Sequence, residues 1–166
     1  MPTVIPFVPQ NITVHLGAPD SPAANVTVPF TDYVKNVASS EIYPTWEESA
    51  LRANILAIVT FALNRVYTEF YRSRGYDFDI TNSTQFDQKY IHGRDIYDSV
   101  SRIVDELFND YVTKGNQIQP YFTEYCDGIG IYLITTGRYV TTGKYCIVDS
   151  DSFIVKVIPT CVGVGQ

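Results

Sequence analysis

Apolar residues recur at helical spacing in two successive runs between Thr31 and Gly75. In the first, Val34, Val37 and Ala38 share a face, and the next position on that face is Glu41. The spacing predicts a helix over about 31–41. The second run places Leu51, Ile55, Ile58, Val59, Ala62, Val66 and Phe70 on one face, while Leu56, Ala57, Phe61 and Leu63 make its middle apolar nearly all round. Such a helix is normally buried at the centre of a fold. Thr45 followed by Glu48 fits a capping box, and Gly75 is a natural stop, so the expected span is about 46–74. A third amphipathic run, about 95–112, carries Ile96, Val100, Ile103, Val104, Leu107, Phe108 and Tyr111 inward.

Strand patterns flank these helices. Asn11 to Leu16 and Asn25 to Val28 alternate around a Gly/Pro/Ser loop and predict an N-terminal hairpin. Tyr76 to Ile80 alternates briefly, and Thr81 to Gln85 is polar and turn-like. From Tyr121 the pattern becomes one of short strands: Tyr121 to Cys126, Ile129 to Thr135, Arg138 to Thr142, Lys144 to Val148 and Phe153 to Ile158. The expectation is an α+β fold in one domain over 1–166. Central helices pack on antiparallel strands, and the chain closes with C-terminal β-hairpins.

Composition narrows the function classes. The 166 residues are 45% hydrophobic and 18% charged, which suits a globular core. The net charge of −6 argues against nucleic acid and against anionic membrane surfaces as partners. No membrane span is expected, because Arg52, Asn54, Asn64 and Arg65 interrupt the longest apolar stretch well short of about 20 residues. Residues 1–6 contain neither a basic nor an apolar leader pattern, so no signal peptide is recognised. Cys126, Cys146 and Cys161 are an odd set with no C-x-x-C pair, and His15 and His92 share no ligand spacing.

Candidate chemistry centres on Glu41. A glutamate that continues an apolar stripe is either solvated at the helix end or partly desolvated. Desolvation would raise its pKa and keep it protonated near neutral pH, as a general acid requires. The polar loop offers Ser83, Thr84 and Gln85, which either contact a ligand or satisfy the turn's own backbone. The thirteen Tyr, nine Phe and one Trp supply rings for the core or for stacking on sugars.

The run Asp32-Tyr33-Val34-Lys35-Asn36-Val37-Ala38-Ser39-Ser40-Glu41-Ile42, then Trp46, then Ser49-Ala50-Leu51-Arg52-Ala53, resembles the signature of the stage II sporulation protein D (SpoIID/LytB) family. Thr81-Asn82-Ser83-Thr84-Gln85 is similar to the family's S-T-Q segment. The resemblance covers about 25–128 and leaves 129–166 as a divergent or truncated tail. It implies action on peptidoglycan in the cell wall or another extracytoplasmic place. It also implies lytic transglycosylase chemistry, with Glu41 as acid/base and with Arg52, Ser83, Thr84 and Gln85 as substrate contacts. A zinc ion near Cys126 occurs in some members and is otherwise not expected here. Another branch of the family is described as an amidase enhancer, which implies an amidase as partner.

The resemblance also has gaps. The family's glycine-rich loop after the segment matching Cys126-Asp127-Gly128 is absent, and Val59 and Phe61 stand where the family has Arg and Tyr. Three functions therefore stay open from the sequence: lytic cleavage, peptidoglycan binding or amidase modulation without cleavage, and two-carboxylate hydrolysis with Asp77 or Asp79 beside Glu41.

Overall fold

The computed structural model describes residues 7–114 and 118–123, together with the backbone of strands at 133–135, 138–140 and 153–157. Its element order is β1 (Asn11–His15), β2 (Asn25–Pro29), α1 (Phe30–Glu41), α2 (Glu48–Tyr67), β3 (Ile80–Thr81), α3 (Asp98–Leu107), β4 (Asp110–Lys114), β5 (Leu133–Thr135), β6 (Arg138–Val140) and β7 (Phe153–Val157). The fold is α+β, as the hydrophobic pattern predicts.

The N-terminal hairpin forms as expected, and its register sets Ile12 opposite Val28 and Val14 opposite Val26. β3 joins β1 on its other side in parallel, pairing Ile80 with Val14, so the sheet order is β2-β1-β3. Pro29 ends β2 at the sheet's outer edge, where its missing N–H costs no ladder bond. The helix begins on the next residue, whose N–H donates to Gln10 O at 3.0 Å.

α2 is the central element. Leu51 and every residue from Ala53 to Arg65 are buried, and α1, α3 and β4 all pack on it. Even its polar residues point into protein. Thr60 Oγ1 accepts Val112 N–H at 3.0 Å, Asn64 Nδ2 donates to Pro120 O at 2.8 Å, and Ala57 O accepts Thr123 Oγ1–H at 2.8 Å.

The helix ends differ from the sequence expectation. α2 starts at Glu48 with Glu47 as its N-cap, and no side chain caps it. Thr45 lies instead in a turn closed by Trp46 N–H donating to Tyr43 O at 3.1 Å, so the expected capping box does not form. At the other end α2 stops at Tyr67 rather than near 74. Glu69 takes a left-handed φ of 49°, and Gly75, at φ 91°, closes a separate 3-10 turn, Arg72–Arg74. The third helix ends at Leu107, and Tyr111 and Val112 belong to strand β4. Its β-branched and aromatic residues pair with β7, Val112 opposite Val155.

β5 and β6 form an antiparallel hairpin, but β7 joins β4 rather than continuing a hairpin run. Tyr121 to Thr123 are not strand. The expected strands at Lys144 to Val148 and at 124–126 lie outside the described residues. Among the described residues no helix is long and apolar enough to cross a membrane.

Candidate functional site

Helix α1 buries two faces. One carries Val34, Val37 and Ala38 into the core. The other carries Tyr33, Asn36, Ser39 and Ser40 against the segment 88–97, and Glu41, at the end of the first face, reaches the same segment at Lys89. Tyr33 donates its hydroxyl to Gln88 Oε1 at 2.9 Å, deep in the protein. Asn36 donates from Nδ2 to Ile91 O at 2.7 Å and accepts Ile91 N–H on Oδ1 at 2.9 Å, as a neighbouring strand would. Arg94 donates to Ser40 Oγ at 3.4 Å, and Tyr97 N–H donates to Ser39 Oγ at 3.3 Å.

Glu41 is the last residue of α1 and is only 9% exposed. Its Oε1 accepts Lys89 N–H at 2.7 Å across 48 residues of sequence. The carboxyl group is thus desolvated, one of the two placements its position on the apolar stripe leaves open, and it is held by a backbone donor. Tyr43 is 66% exposed, and its ring lies 5.8 Å from that of Trp46. Tyr33 stacks on Tyr90 at 5.4 Å, and the Tyr90 hydroxyl is 2.8 Å from His92 Nδ1. Burial, with the charges of Asp87 and Glu41 behind it, pushes the Tyr33 phenol well above its ordinary range.

Gln88 and Asp87 fix the segment from beneath. Gln88 is fully buried and donates from Nε2 to Ile58 O at 3.0 Å. Asp87 accepts Arg65 Nε–H at 2.7 Å, Tyr71 O–H at 2.6 Å, Thr81 N–H at 3.0 Å and Thr81 O–H at 2.7 Å. Burial first, then the Asp87 hydrogen bond, pushes the Tyr71 phenol upward.

The other sequence candidates sit as follows. Ser83 Oγ accepts Gln85 N–H at 3.2 Å, and Ser83 O accepts Asp87 N–H at 2.7 Å, so Ser83 serves its own turn. Thr84 and Gln85 have exposed side chains on that turn. The Arg52 guanidinium pairs with Glu48 at 3.3 Å and with Glu106 on α3. Asp77 Oδ1 accepts Asn25 Nδ2–H at 3.0 Å, while Asp79 accepts Thr13 N–H at 2.8 Å and Arg72 Nε–H at 2.7 Å. Both aspartates therefore brace the N-terminal hairpin. Val59 is fully buried in the core cluster. Cys126 lies outside the described residues, and among the described residues no three His, Cys, Asp or Glu side chains gather as a metal site.

Sequence reading did not single out Asn36, Asp87, Gln88 or Lys89 as parts of this site. Asn36 offered the one local signal, an amide in mid-helix where side-chain amides compete with the backbone. The partners of the others are too distant in sequence to be visible.

The geometry defines a class: an α+β domain that carries a buried helix-end carboxyl group held by a backbone amide of a distant loop. A profile of the family described as SpoIID, stage II sporulation protein, matches residues 21–113, and the chain belongs to that family. The family is linked to sporulation, to the cell envelope, and in general to lytic activity on peptidoglycan. An uncharacterised protein of Brachyspira hyodysenteriae (strain ATCC 49526 / WA1) is 34% identical over 98 residues, which are 58% of this chain. The chain spans about a quarter of that relative's length, the matched part being 26% of it.

Proposed function

We propose that this chain acts on the glycan strands of peptidoglycan as a lytic transglycosylase, with Glu41 as the acid/base. The observation that carries the reading is the Glu41 carboxyl group, 9% exposed and fixed by Lys89 N–H at 2.7 Å. Burial and the carbonyl end of α1 oppose its ionisation, whereas the Lys89 amide favours the ionised form. A carboxyl group placed in this way can give a proton and take one back.

In the proposed reaction Glu41 first protonates the oxygen that links N-acetylmuramic acid to N-acetylglucosamine, and the C1–O bond breaks. The 6-hydroxyl of the same N-acetylmuramic acid attacks C1 and gives its proton to Glu41. The products are a 1,6-anhydro sugar end and a free 4-hydroxyl, with no water consumed. Acid/base help of this kind contributes about 10²–10⁴-fold, and holding the sugar in place supplies the rest. Thr84, Gln85, Ser83 and Arg52 are the proposed glycan contacts. Arg52 would have to leave Glu48 or Glu106 to serve. The site of action on this reading is the cell wall.

A second reading keeps the grip on glycan without cleavage, as a peptidoglycan-binding protein or a modulator of an amidase partner. It is favoured by Val59, a fully buried core residue where the family resemblance expects an arginine. Asp77 and Asp79 are engaged at the hairpin, which leaves the two-carboxylate hydrolase without a supporting observation.

Purified glycan strands digested by the parent protein and by Glu41→Gln, read by mass spectrometry, separate these readings. Anhydro-ended products from the parent alone support the transglycosylase. Anhydro products at the parent rate from Glu41→Gln would remove Glu41 from the chemistry. Binding by both proteins without products would favour the second reading.

A further inference from the structure

Two buried amides bracket the hydrogen bond that holds Glu41. On one side of Lys89, Gln88 spans α1 and α2: its Oε1 accepts from Tyr33 and its Nε2 donates to Ile58 O. On the other side, Ile91 has both backbone groups taken by the Asn36 side chain, at 2.7 and 2.9 Å. Asn36 is 5% exposed and Gln88 0%. Neither side chain is replaceable by an apolar one without stranding its partners. These two anchors flank Lys89, whose N–H donates to Glu41 Oε1. The arrangement is also economical in charge, since both anchors are neutral.

We infer that Asn36 and Gln88 are positioning residues for Glu41: together they fix the 88–91 backbone so that Lys89 N–H stays on the carboxyl oxygen. This deepens the proposed function and rests on it for the consequence in turnover, while the geometric claim stands apart from turnover. Backbone N–H donation favours the ionised carboxyl group, so loosening either anchor shifts Glu41 towards its protonated form. The groups that share this environment are Tyr33 on α1, Asp87 and Lys89 on the segment, and Arg94, which reaches Ser40.

The experiment is an NMR titration of the full chain that follows the Glu41 side-chain carboxyl carbon and the Lys89 amide in parallel. In the parent the Lys89 amide shift follows the Glu41 titration. In Asn36→Ala the Glu41 midpoint rises by about one pH unit, and the Lys89 amide no longer follows it. The double variant Tyr33→Phe/Gln88→Leu, which removes both ends of the Tyr33–Gln88 bond and leaves Ile58 O without its Gln88 donor, gives the same shift and keeps the test alive should Asn36→Ala not fold. Ser39→Ala, on the same face but bound to Tyr97, leaves the midpoint where it was. A folded Asn36→Ala or double variant whose Glu41 midpoint matches the parent's overturns the inference. So does an equal shift in Ser39→Ala, which would mark a general loosening of the fold. A parent that releases no anhydro products counts against the transglycosylase and leaves this titration readable. If the parent is lytic, the alkaline limb of its pH profile moves up in the variants by the same amount as the midpoint.

Discussion

Arg65 Nε donates to Asp87 Oδ1 at 2.7 Å, and the two side chains are 8% and 0% exposed. The guanidinium also lies against rings, 3.8 Å from the centroid of Phe70, 5.0 Å from that of Phe61 and 4.9 Å from that of Phe122. The pair joins the last turns of α2 to the segment that leads to Glu41. Asp87→Ala leaves the arginine buried without its counter-charge and takes an acceptor from Tyr71 and Thr81. The expected cost is about 3–5 kcal/mol. Urea unfolding of the variant checks this, and a loss below about 1 kcal/mol would show the pair to be incidental.

Glu41→Gln keeps an oxygen for Lys89 N–H and removes the ionisable group. Its stability should lie within about 1 kcal/mol of the parent's, whereas Glu41→Ala, which removes the acceptor, should lose about 1–3 kcal/mol. Equal losses for the two variants, read from urea midpoints at neutral pH, would mean that the Lys89 contact contributes little.

Alkaline pH should weaken the fold through Tyr33. Its folded-state phenol sits well above 10 because of burial first and the Asp87 and Glu41 charges next. The unfolded chain ionises near 10. Stability from this group is therefore complete below about pH 10 and is lost as pH rises towards the folded value. The limiting slope is about 1.4 kcal/mol per pH unit. Tyr33→Phe should unfold with a shallower pH dependence between about pH 10 and 11.5. A slope identical to the parent's would contradict this origin.

Arg52 pairs with Glu48 within α2 and joins α2 to α3 through Glu106. Those carboxylates hold its guanidinium in the charged form, the Glu106 hydrogen bond foremost. Exposed pairs of this kind contribute little and are screened by salt. Arg52→Ala should lower the melting midpoint slightly at low salt and not at all in 1 M salt. If Arg52 is a glycan contact, the same variant loses glycan binding in a pull-down while its melting stays near the parent's. Unchanged binding would remove it from the site.

What the sequence made visible was mostly local. The α1 stripe put Glu41 in line with Val34, Val37 and Ala38, because i, i+3, i+4 spacing marks a shared face, but left open whether its carboxyl group is solvated or buried; the fold buries it to 9% exposure. The all-apolar middle of α2 marked it as central. The misread ends have physical causes. Thr45 and Glu48 have the spacing of a capping box, but Pro44 and Trp46 hold that stretch in a turn. Gly75 does terminate a helical turn, though only the short one at Arg72–Arg74. Asp110 to Lys114 continues the helical period yet pairs as a strand with residues 153–157, a partnership no local pattern reveals. Asp87, Gln88 and Lys89 were opaque for the same reason, since their importance lies in contacts to α1 and α2.

The sheet makes a point about boundaries. Its middle strand is β1, held by β2 on one side and β3 on the other, with Ile12 and Val14 fully buried. Yet β1 ends at His15, and the family match begins at residue 21. The unit of inheritance and the unit of folding do not coincide here. A fragment cut to the matched stretch would lose the strand to which the other two are tied, and would leave β2 and β3 with open edges on either side of an empty lane. Any recombinant piece meant to present Glu41 in its native setting has to begin upstream of Asn11.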